Sequence, residues 1–364
     1  MNGLVVSTWV SRIPAVQSAL ILSPAILGLV LLATAAGSLV SMPITGWLIA
    51  HYGSRPLVRV SGILFCLSLP PMAMARNAWE LGATLFLFGI TAGSLNVSMN
   101  THAVAVEQDY GRPIMGSFHA YWSAGAMTGS ALGGWAAGVG MGPFPHFLAA
   151  TAAFLAVMAA AISVLHYPEH TAPVTRLSLR IPRAVAGLGL IACAISVVEG
   201  SMADWTAVYL DSVLLTGAGT AALGYSCYAA AMIVTRILSD RITQWLGRPM
   251  LVRVGSLVAF VGLGLSLLTN SWQVALAGFA IVGLGVAAII PNIFGAAGRV
   301  ASLPPGVGMA AVTTMAYMGF LGGPPLIGAF AEWLGLRIAL VFVLLCLVTA
   351  AAFASLVPPV GSGE

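Results

Sequence analysis

The sequence predicts an all-α membrane protein in which two parallel repeats of six transmembrane helices follow one another. Three observations lead to this fold class: an extreme apolar composition, a series of apolar runs of membrane-spanning length, and an internal repeat at one fixed offset. Of the 364 residues, 59% are hydrophobic and only 7% are charged. Soluble domains carry about 25% charged residues, so the composition excludes an ordinary soluble enzyme.

The charged residues and cysteines argue against several kinds of partner. All 14 basic residues are arginines, scattered singly or in pairs, whereas a nucleic-acid-binding surface is a clustered basic patch. The four cysteines lie far apart in apolar runs and show no metal-ligand spacing. We therefore predict no nucleic-acid partner, no metal and no cofactor. The expected partners are a small-molecule substrate and the lipid bilayer.

Apolar runs divide the chain into spans of the length that a bilayer requires, about 20 residues. They fall near 24–49, 56–76, 81–106, 114–139, 145–166, 183–208, 217–238, 250–269, 272–297, 306–331 and 336–357. The apolar stretch 1–13 is a twelfth and shorter candidate. We number these spans one to twelve, beginning with 1–13.

The distribution of arginine predicts the orientation in the membrane. If residue 1 faces the cytoplasm, 11 of the 14 arginines fall in loops or helix ends on that side. Only Arg12, Arg76 and Arg337 fall on the other side. Because short cytoplasmic loops carry an excess of basic residues, both termini are expected in the cytoplasm.

An internal repeat predicts the two-part architecture. Shifting the chain by 194 residues superposes the tetrapeptide LVRV at 57–60 on the LVRV at 251–254. The same offset aligns Gly53 with Gly247, Gly89 with Gly283, Met115 with Met309, and Gly125, Gly129 and Gly134 with Gly319, Gly323 and Gly328. An offset of six spans preserves helix direction, so the halves are parallel repeats with a site expected between them.

The repeat also sets the domain boundaries. The most polar connection lies near the middle of the chain, so we predict a six-helix bundle at 1–166, a central cytoplasmic loop at 167–182 and a second bundle at 183–364. By the same offset residue 1 aligns with residue 195, which lies 12 residues into the span that begins near 183. The first helix is therefore expected to be truncated.

The turn after the second span resembles the signature of the major facilitator superfamily, G-x-x-x-D-[RK]-x-G-[RK]-[RK]. Gly46, Gly53 and Arg55 match it, whereas Ala50 replaces the acid and Ser54 one basic residue. Longer phrases, among them GRPIMGSFHAYWSAGAMTGSALGG and EGSMADWTAVYL, look like a bacterial inner-membrane subfamily that is loosely similar to fucose-type sugar permeases. The resemblance covers nearly the whole chain and implies a transporter with twelve helices in the inner membrane of a bacterial cell.

Glycines in two spans have two interpretations. They recur at every fourth position from Gly125 to Gly133 in the fifth span, and similarly from Gly319 to Gly328 in the eleventh. This pattern resembles a motif of proton-coupled exporters, although Ser130 stands where that motif has proline. Small residues at this spacing also let helices approach closely, without any role specific to export.

Two acids in the seventh span are the most unusual residues of the chain. A charge at a helix centre costs about 2.5–3.5 kcal/mol on insertion scales, so Glu199 is expected to have a reason to be there. Burial disfavours the charged form of a carboxylate, which lets it hold a proton near neutral pH. We predict Glu199 as the proton-coupling group, the alternative being a neutral structural acid. Asp204 is about 140° away around the helix and cannot form a close dyad with it.

An outer gate is predicted beside these acids. Arg12 lies at the outer end of the first span, near the depth of Asp204, and is expected to pair with Asp204 or Asp211 when that gate is closed. The alternative is that the Arg12 side chain extends to the membrane interface, as long basic side chains do. Trp205 is expected to anchor the seventh span at the outer interface.

Polar side chains on the spans that line the cavity in this superfamily suit a polar organic ligand. The candidates for substrate binding are Asn96, Asn100, Trp122, Asn292 and Tyr317. Asn96 and Asn100 are four residues apart and share a helix face. The alternative is that such side chains join helices by hydrogen bonds worth about 0.6 kcal/mol each. His119 is a second proton candidate, because imidazole titrates near neutral pH.

An inner gate is predicted from the charged residues at the cytoplasmic ends of the spans. Its members are Arg55, Glu107, Arg112, Arg236 and Asp240. No glycine-rich nucleotide-binding loop follows a predicted strand, which argues against an ATP-driven pump. The expectation is a monomeric, proton-coupled secondary transporter of a small polar organic solute, not an enzyme. Two alternatives stay open: a proton-coupled exporter of drugs or toxic metabolites, and a non-transporting sensor or inactive remnant.

Overall fold

The computed structural model describes residues 1–110, 115–164, 183–297 and 307–359, and regular secondary structure within these ranges is entirely helical. The helices are α1 (Asn2–Val10), α2 (Ile13–Ala19), α3 (Pro24–Tyr52), α4 (Ser54–Leu67), α5 (Leu69–Met74), α6 (Ala78–Tyr110), α7 (Met115–Gly138), α8 (Pro143–Val164), α9 (Arg183–Ser212), α10 (Ala218–Ala221), α11 (Leu223–Leu246), α12 (Arg248–Leu268), α13 (Trp272–Val286), α14 (Ile289–Ala297), α15 (Val307–Leu334), α16 (Leu336–Ala339) and α17 (Val341–Ala352). The predicted all-α class is confirmed.

Most of the predicted spans correspond to long helices. Within the described residues, nine helical segments are long and apolar enough to cross a membrane, and α7 and α15 add helices of 24 and 28 residues. The first span is a broken helix, α1 followed by α2, with the break at Ser11 and Arg12. The count of twelve spans stays a prediction, and the predicted central loop at 167–182 lies outside the described residues.

The turns at one end of the molecule follow the repeat. Gly53 between α3 and α4 has φ 79°, and Gly247 between α11 and α12 has φ 72°. This left-handed conformation suits glycine because a Cβ would be strained there. At the other end, Ile21 and Leu215 also have positive φ, 51° and 54°. Both pairs are separated by the offset that the sequence predicted, so the two halves repeat in backbone conformation as well as in sequence.

Helix packing follows the same repeat. α1 packs on α7 as α9 packs on α15, and α3 packs on α6 as α11 packs on α13. Glycine permits the closest of these approaches. A Cβ added to Gly89 would lie 2.0 Å from the Thr34 carbonyl oxygen, and one added to Gly283 would lie 2.3 Å from the Tyr228 carbonyl oxygen. Gly89 and Gly283 are repeat equivalents, and so are the two residues that they contact.

The two halves meet through α3 with α15 and through α7 with α11. We call the end of the bundle that carries the α1–α2 break the Arg12 end, and the opposite end, which carries the α3–α4 turn, the Gly53 end. Near the Arg12 end a Cβ on Gly28 would lie 2.4 Å from the Pro324 carbonyl oxygen, and Ser130 Oγ donates to the Ala222 carbonyl oxygen at 2.7 Å. These contacts are again repeat equivalents, and they hold the halves together at the Arg12 end.

α9 is the most enclosed of the nine apolar segments. Within its apolar window 78% of the residues are buried, against 28% in α8. The prediction that Trp205 anchors this helix at a membrane interface is wrong, because the Trp205 side chain is 0% exposed. The apolar run predicts how far along the helix Trp205 lies. It does not predict whether the side chain faces lipid or the protein interior, which depends on helix packing. α9 therefore carries Glu199 and Asp204 through the middle of the protein.

Candidate substrate and coupling site

Arg236 joins the two halves near the middle of the bundle. It extends from α11 and donates hydrogen bonds to Ser123 Oγ and to the His119 carbonyl oxygen at 3.4 Å, both on α7. Its guanidinium carbon lies 5.8 Å from the centroid of the Trp122 ring, within the range of a cation–π interaction. The sequence predicted Arg236 as a member of an inner gate, and the structure shows it bonded to α7 of the other half.

Trp122 extends the cluster to the first helix. Its Nε1–H donates to Asn2 Oδ1 at 3.0 Å, and Asn2 is only 7% exposed. Gly3 makes this approach possible, because a Cβ there would lie 2.1 Å from the Trp122 carbonyl oxygen. An indole face, an amide and a guanidinium from α7, α1 and α11 thus occupy one region between the halves.

Glu199 supplies the negative charge of this region. Its carboxylate is enclosed by protein and interacts electrostatically with Arg236. Its side chain nevertheless keeps partial solvent exposure, so it borders internal space large enough for water. No hydrogen bond from the described residues to its carboxylate is present. The Glu199 charge is therefore offset by Arg236 at a distance rather than by direct pairing.

Aromatic side chains surround Glu199. Tyr225 and Tyr228 on α11 have ring centroids 5.7 Å apart, and both interact electrostatically with Glu199. The Tyr228 hydroxyl is buried without a hydrogen-bond partner among the described residues. The sequence-based prediction of site residues did not include either tyrosine. Two tyrosines three residues apart in an apolar span could have indicated them, because they share one helix face. They place two aromatic rings near Glu199 and leave the Tyr228 hydroxyl available to a ligand or proton.

The wall beside Glu199 is completed by α15. A Cβ added to Gly200 would lie 3.2 Å from Cδ1 of Phe320, so α9 and α15 touch at this level. Tyr317 lies one turn from Phe320, with ring centroids 6.3 Å apart. Tyr317 is half-buried, and the structure therefore places it near the Glu199 level.

Asn96 and Asn100 lie on one face of α6, as their spacing predicted. The Asn100 amide nitrogen donates to the Asn96 carbonyl oxygen at 2.8 Å and to Asn96 Oδ1 at 3.1 Å. Both side chains are half-buried. The structure pairs them with each other and shows no hydrogen bond from either amide to the Arg236 cluster.

Asn292 links two helices of the second half. Its amide nitrogen donates to Thr243 Oγ1 at 3.0 Å and to the Ala288 carbonyl oxygen at 2.9 Å. These bonds tie α14 to α11 near the Gly53 end. The geometry therefore matches the helix-joining alternative for Asn292 rather than a free ligand group.

We expect Asn292→Ala to lower the free energy of unfolding by about 0.6 kcal/mol and to leave solute affinity unchanged, because the amide is occupied by Thr243. The measurement is a double-mutant cycle with Thr243→Val, read by unfolding in detergent. If both residues act through one bond, the effects of the two variants are not additive. Loss of solute affinity without loss of stability would instead assign Asn292 to the binding site.

Arg12 has neither of its expected arrangements. It is 3% exposed, so it does not extend to the membrane interface. Its Nη2 donates to the carbonyl oxygen of Met141 in the α7–α8 connection, rather than to Asp204 or Asp211. Asp204 is enclosed on α9, and Asp211 borders a cavity of about 450 Å³ between α2 and α9. The predicted outer-gate pair is not formed in this conformation.

The remaining inner-gate candidates lie at the Gly53 end. Arg55 and Glu107 are half-buried there, and Asp240 is exposed on α11. Arg112 lies outside the described residues. Nearby, Ser54 Oγ and His102 Nδ1 are 3.1 Å apart, a link between α4 and α6 that the sequence did not indicate.

Comparison with known proteins identifies the architecture. A family model described as Major Facilitator Superfamily matches residues 1–305. The chain belongs to the major facilitator superfamily. As a facilitator it is a multi-pass membrane transporter and not an enzyme.

Several bacterial relatives of this facilitator match over almost its full length. The uncharacterized transporter y4wD of Sinorhizobium fredii is 36% identical over 362 residues, which are 98% of this chain and 93% of that protein. An uncharacterized MFS-type transporter of Yersinia pestis is 33% identical over 358 residues, with 97% and 92% covered. Membrane protein MosC of Rhizobium meliloti is 32% identical over 350 residues, with 94% and 84% covered.

Solved structures show the same fold. A variant of the nucleoside transporter NupG matches with a TM-score of 0.76, 12% identity and 98% of each chain covered. A bacterial homolog of the human lysosomal transporter Spinster, in an inward-facing and occupied conformation, matches with a TM-score of 0.73 and 17% identity. That match covers 98% of this facilitator and 93% of the homolog. At these identities the similarity establishes the fold alone.

The glycines that resemble an exporter motif are used in packing in this facilitator. A Cβ on Gly129 would lie 2.3 Å from Ser7 Oγ, and one on Gly133 would lie 1.9 Å from Ser11 Oγ. In the second half, a Cβ on Gly319 would lie 2.2 Å from the Cys193 carbonyl oxygen. Close helix approach therefore accounts for these glycines without any role in export.

Proposed function

We propose that this facilitator moves a small polar organic solute, sugar-like or an organic acid, across the bacterial inner membrane by alternating access, with energy from protons that bind Glu199. It acts as a monomer with both termini in the cytoplasm. The observation that carries the proposal is the enclosed Glu199 carboxylate, whose charge is offset by an arginine bonded to the other half of the protein. A proton on Glu199 thus changes an interaction that spans the halves.

The coupling follows from the charge of Arg236. When Glu199 is ionised, the guanidinium has a negative partner on α9. When Glu199 takes up a proton, that partner is lost and the guanidinium is available to acceptor groups on a solute. Because Arg236 also holds Ser123 on α7, the proton and the solute both act on the contact between the halves. A ligand shifts such an equilibrium only by its differential affinity for the two states.

The solute class follows from the groups around Arg236. The Trp122 face offers a flat apolar surface, and Asn2 and Arg236 offer polar groups beside it. The Tyr228 hydroxyl on α11 is a further polar group without a partner among the described residues. Ring-shaped polar molecules suit this combination, because the indole packs on the ring face while donors bind hydroxyl or carboxylate oxygens. Asn96, Asn100 and Tyr317 are the further substrate-binding candidates. His119 has an exposed side chain and a backbone carbonyl that accepts a hydrogen bond from Arg236, and it is the second proton candidate.

The gates are assigned to the two ends of the bundle. We place the inner gate at the Gly53 end, with Arg55 and Glu107 as its charged members. In this conformation the outer side is closed by close contacts between helices of the two halves. Among them are the approach of Gly28 to the Pro324 carbonyl oxygen and the hydrogen bond from Ser130 Oγ to the Ala222 carbonyl oxygen. Closure at the Arg12 end by packing needs no ion pair between Arg12 and Asp204.

The test begins with the purified protein and a thermal-shift panel of sugars, organic acids and cationic drugs. We expect a sugar or organic acid to raise Tm, and the same compound to drive proton movement into proteoliposomes that carry a pH-sensitive dye. A panel in which only drugs stabilise the protein would favour export of toxic compounds. Solute movement without any proton movement would overturn the coupling.

We expect Arg236→Gln to weaken solute binding by about 10- to 100-fold, because hydrogen bonds to a charged group contribute about 1.5–3 kcal/mol. The matched control is Arg241→Gln, which removes the same charge from an exposed position on the same helix. Binding is measured by isothermal titration with the solute that the panel identifies. Equal affinity in the two variants would remove Arg236 from the binding site.

A further inference from the structure

A second polar cluster lies in the first half, apart from the Glu199 region, where α1 ends and α8 begins. Trp9 on α1 and Phe147 on α8 pack there with ring centroids 6.4 Å apart. Both side chains are buried, so this contact fixes the α1–α2 break against the first turn of α8. Arg12 follows Trp9 by three residues, and His146 immediately precedes Phe147.

Both polar residues of this cluster have hydrogen-bonding groups without partners. Arg12 is 3% exposed and His146 is 7% exposed. Arg12 Nη2 donates to the Met141 carbonyl oxygen, but Arg12 Nε and Nη1 and His146 Nδ1 have no partner among the described residues. Buried donors without acceptors are rare in folded proteins.

The two residues converge on one place. The Arg12 charge acts on the His146 ring, and Ser11 lies beside both. A Cβ on Gly133 of α7 would lie 1.9 Å from Ser11 Oγ and 3.4 Å from His146 Cε1, so α7 closes the remaining side. No carboxylate among the described residues hydrogen-bonds to either side chain. The place thus combines a buried positive charge with at least three unused N–H or ring nitrogen positions.

We propose that a small inorganic anion of the chloride class binds between Arg12 and His146. Arg12 Nε–H or Nη1–H and His146 Nδ1–H donate to it, and its charge offsets the guanidinium that burial would otherwise leave without a counter-charge. A lipid phosphate does not fit, because neither side chain reaches the surface. A water molecule accepts the hydrogen bonds but leaves the charge in place. The bound anion ties the α1–α2 break to α8 at the Arg12 end.

The first test uses the purified full chain and sodium chloride titrated against sodium gluconate at constant ionic strength. A ligand that binds the folded state raises Tm with its concentration, so we expect a saturating rise with chloride. Arg12→Gln should abolish this rise. The matched control is Arg337→Gln, which removes an arginine at the same end that bonds to Thr269 and Asn270 and should keep the full response. No chloride response in the unaltered protein would overturn the site.

A second test does not depend on Arg12→Gln folding. His146→Leu keeps the guanidinium but removes one donor, and we expect about tenfold weaker apparent chloride affinity. Crystals grown in sodium bromide should show an anomalous peak within hydrogen-bonding distance of the Arg12 guanidinium. An ordered water there without a bromide peak, or an Arg12 side chain paired with Asp204 or Asp211, would contradict the anion site and leave the Glu199 coupling untouched.

Discussion

Replacing Glu199 with Gln is expected to abolish solute-driven proton movement in proteoliposomes while leaving downhill exchange of the solute intact. Gln keeps the size and polarity of the side chain but cannot release a proton, so Arg236 permanently lacks its counter-charge on α9. The protein should then behave as though it were always protonated. It should exchange labelled solute across the membrane but fail to accumulate it against a gradient.

The control for this experiment is Glu80→Gln. Glu80 is exposed at the start of α6, where its carboxylate accepts hydrogen bonds from the Arg76 backbone and the Asn77 amide. The Glu80→Gln variant should retain full coupling of solute and proton movement. Normal coupled flux in Glu199→Gln would refute the assignment, and if His119→Gln were then uncoupled, the proton site would move to His119. Loss of both flux and exchange in Glu199→Gln would show a structural role instead.

The second large effect concerns the glycines on α6. Gly89→Ala is expected to destabilise the protein by about 1–3 kcal/mol, the cost of forcing extra atoms into a packed contact. The added Cβ would lie 2.0 Å from the Thr34 carbonyl oxygen. That atom belongs to the backbone of α3, so the two helices must separate along their contact.

The same helix provides the matched control. Gly82 has nothing within 4 Å of an added Cβ, so Gly82→Ala should stabilise α6 by about 0.5–1 kcal/mol, because alanine loses less backbone freedom on folding. The free energy of unfolding of both variants is measured in mixtures of mild detergent and SDS. It should fall for Gly89→Ala and rise for Gly82→Ala relative to the unaltered protein. Gly283→Ala, at the repeat equivalent, should follow Gly89→Ala. Similar stability in the two α6 variants would show that α3 and α6 are less closely packed than described.

The fold was predictable because its main determinants can be recognised in the amino-acid sequence itself. Runs of apolar residues predicted the helices, and the repeat offset aligned Gly53 with Gly247, which form equivalent turns in the structure. The break at Ser11 and Arg12 in the first span was not predicted. Pro14, at the second position of α2, was the available signal: it has no N–H to donate to the Val10 carbonyl, so a regular helix is interrupted before it.

The candidate site was predictable in part. An acid in an apolar span drew attention to Glu199, and helical spacing placed Asn96 and Asn100 on one face. The direction of a long side chain was not predictable. Arg236 looked like part of a charged cluster at a helix end, yet its guanidinium reaches Ser123 on another helix. Arg12 likewise bonds to a backbone carbonyl, and a carbonyl has no signature in the sequence.

The equivalence of the two contacts between the halves has a consequence for the origin of the chain. α3 contacts α15 in the way that α11 contacts α7. Each half therefore contributes both helices of this contact type: α3 and α7 in the first half, and α11 and α15 in the second. A surface that pairs with a rotated copy of itself is the requirement for a two-fold symmetric homodimer. A single half therefore carries both surfaces needed to associate with a second copy. Fusion of two such subunits into one polypeptide would yield this architecture without any new interface.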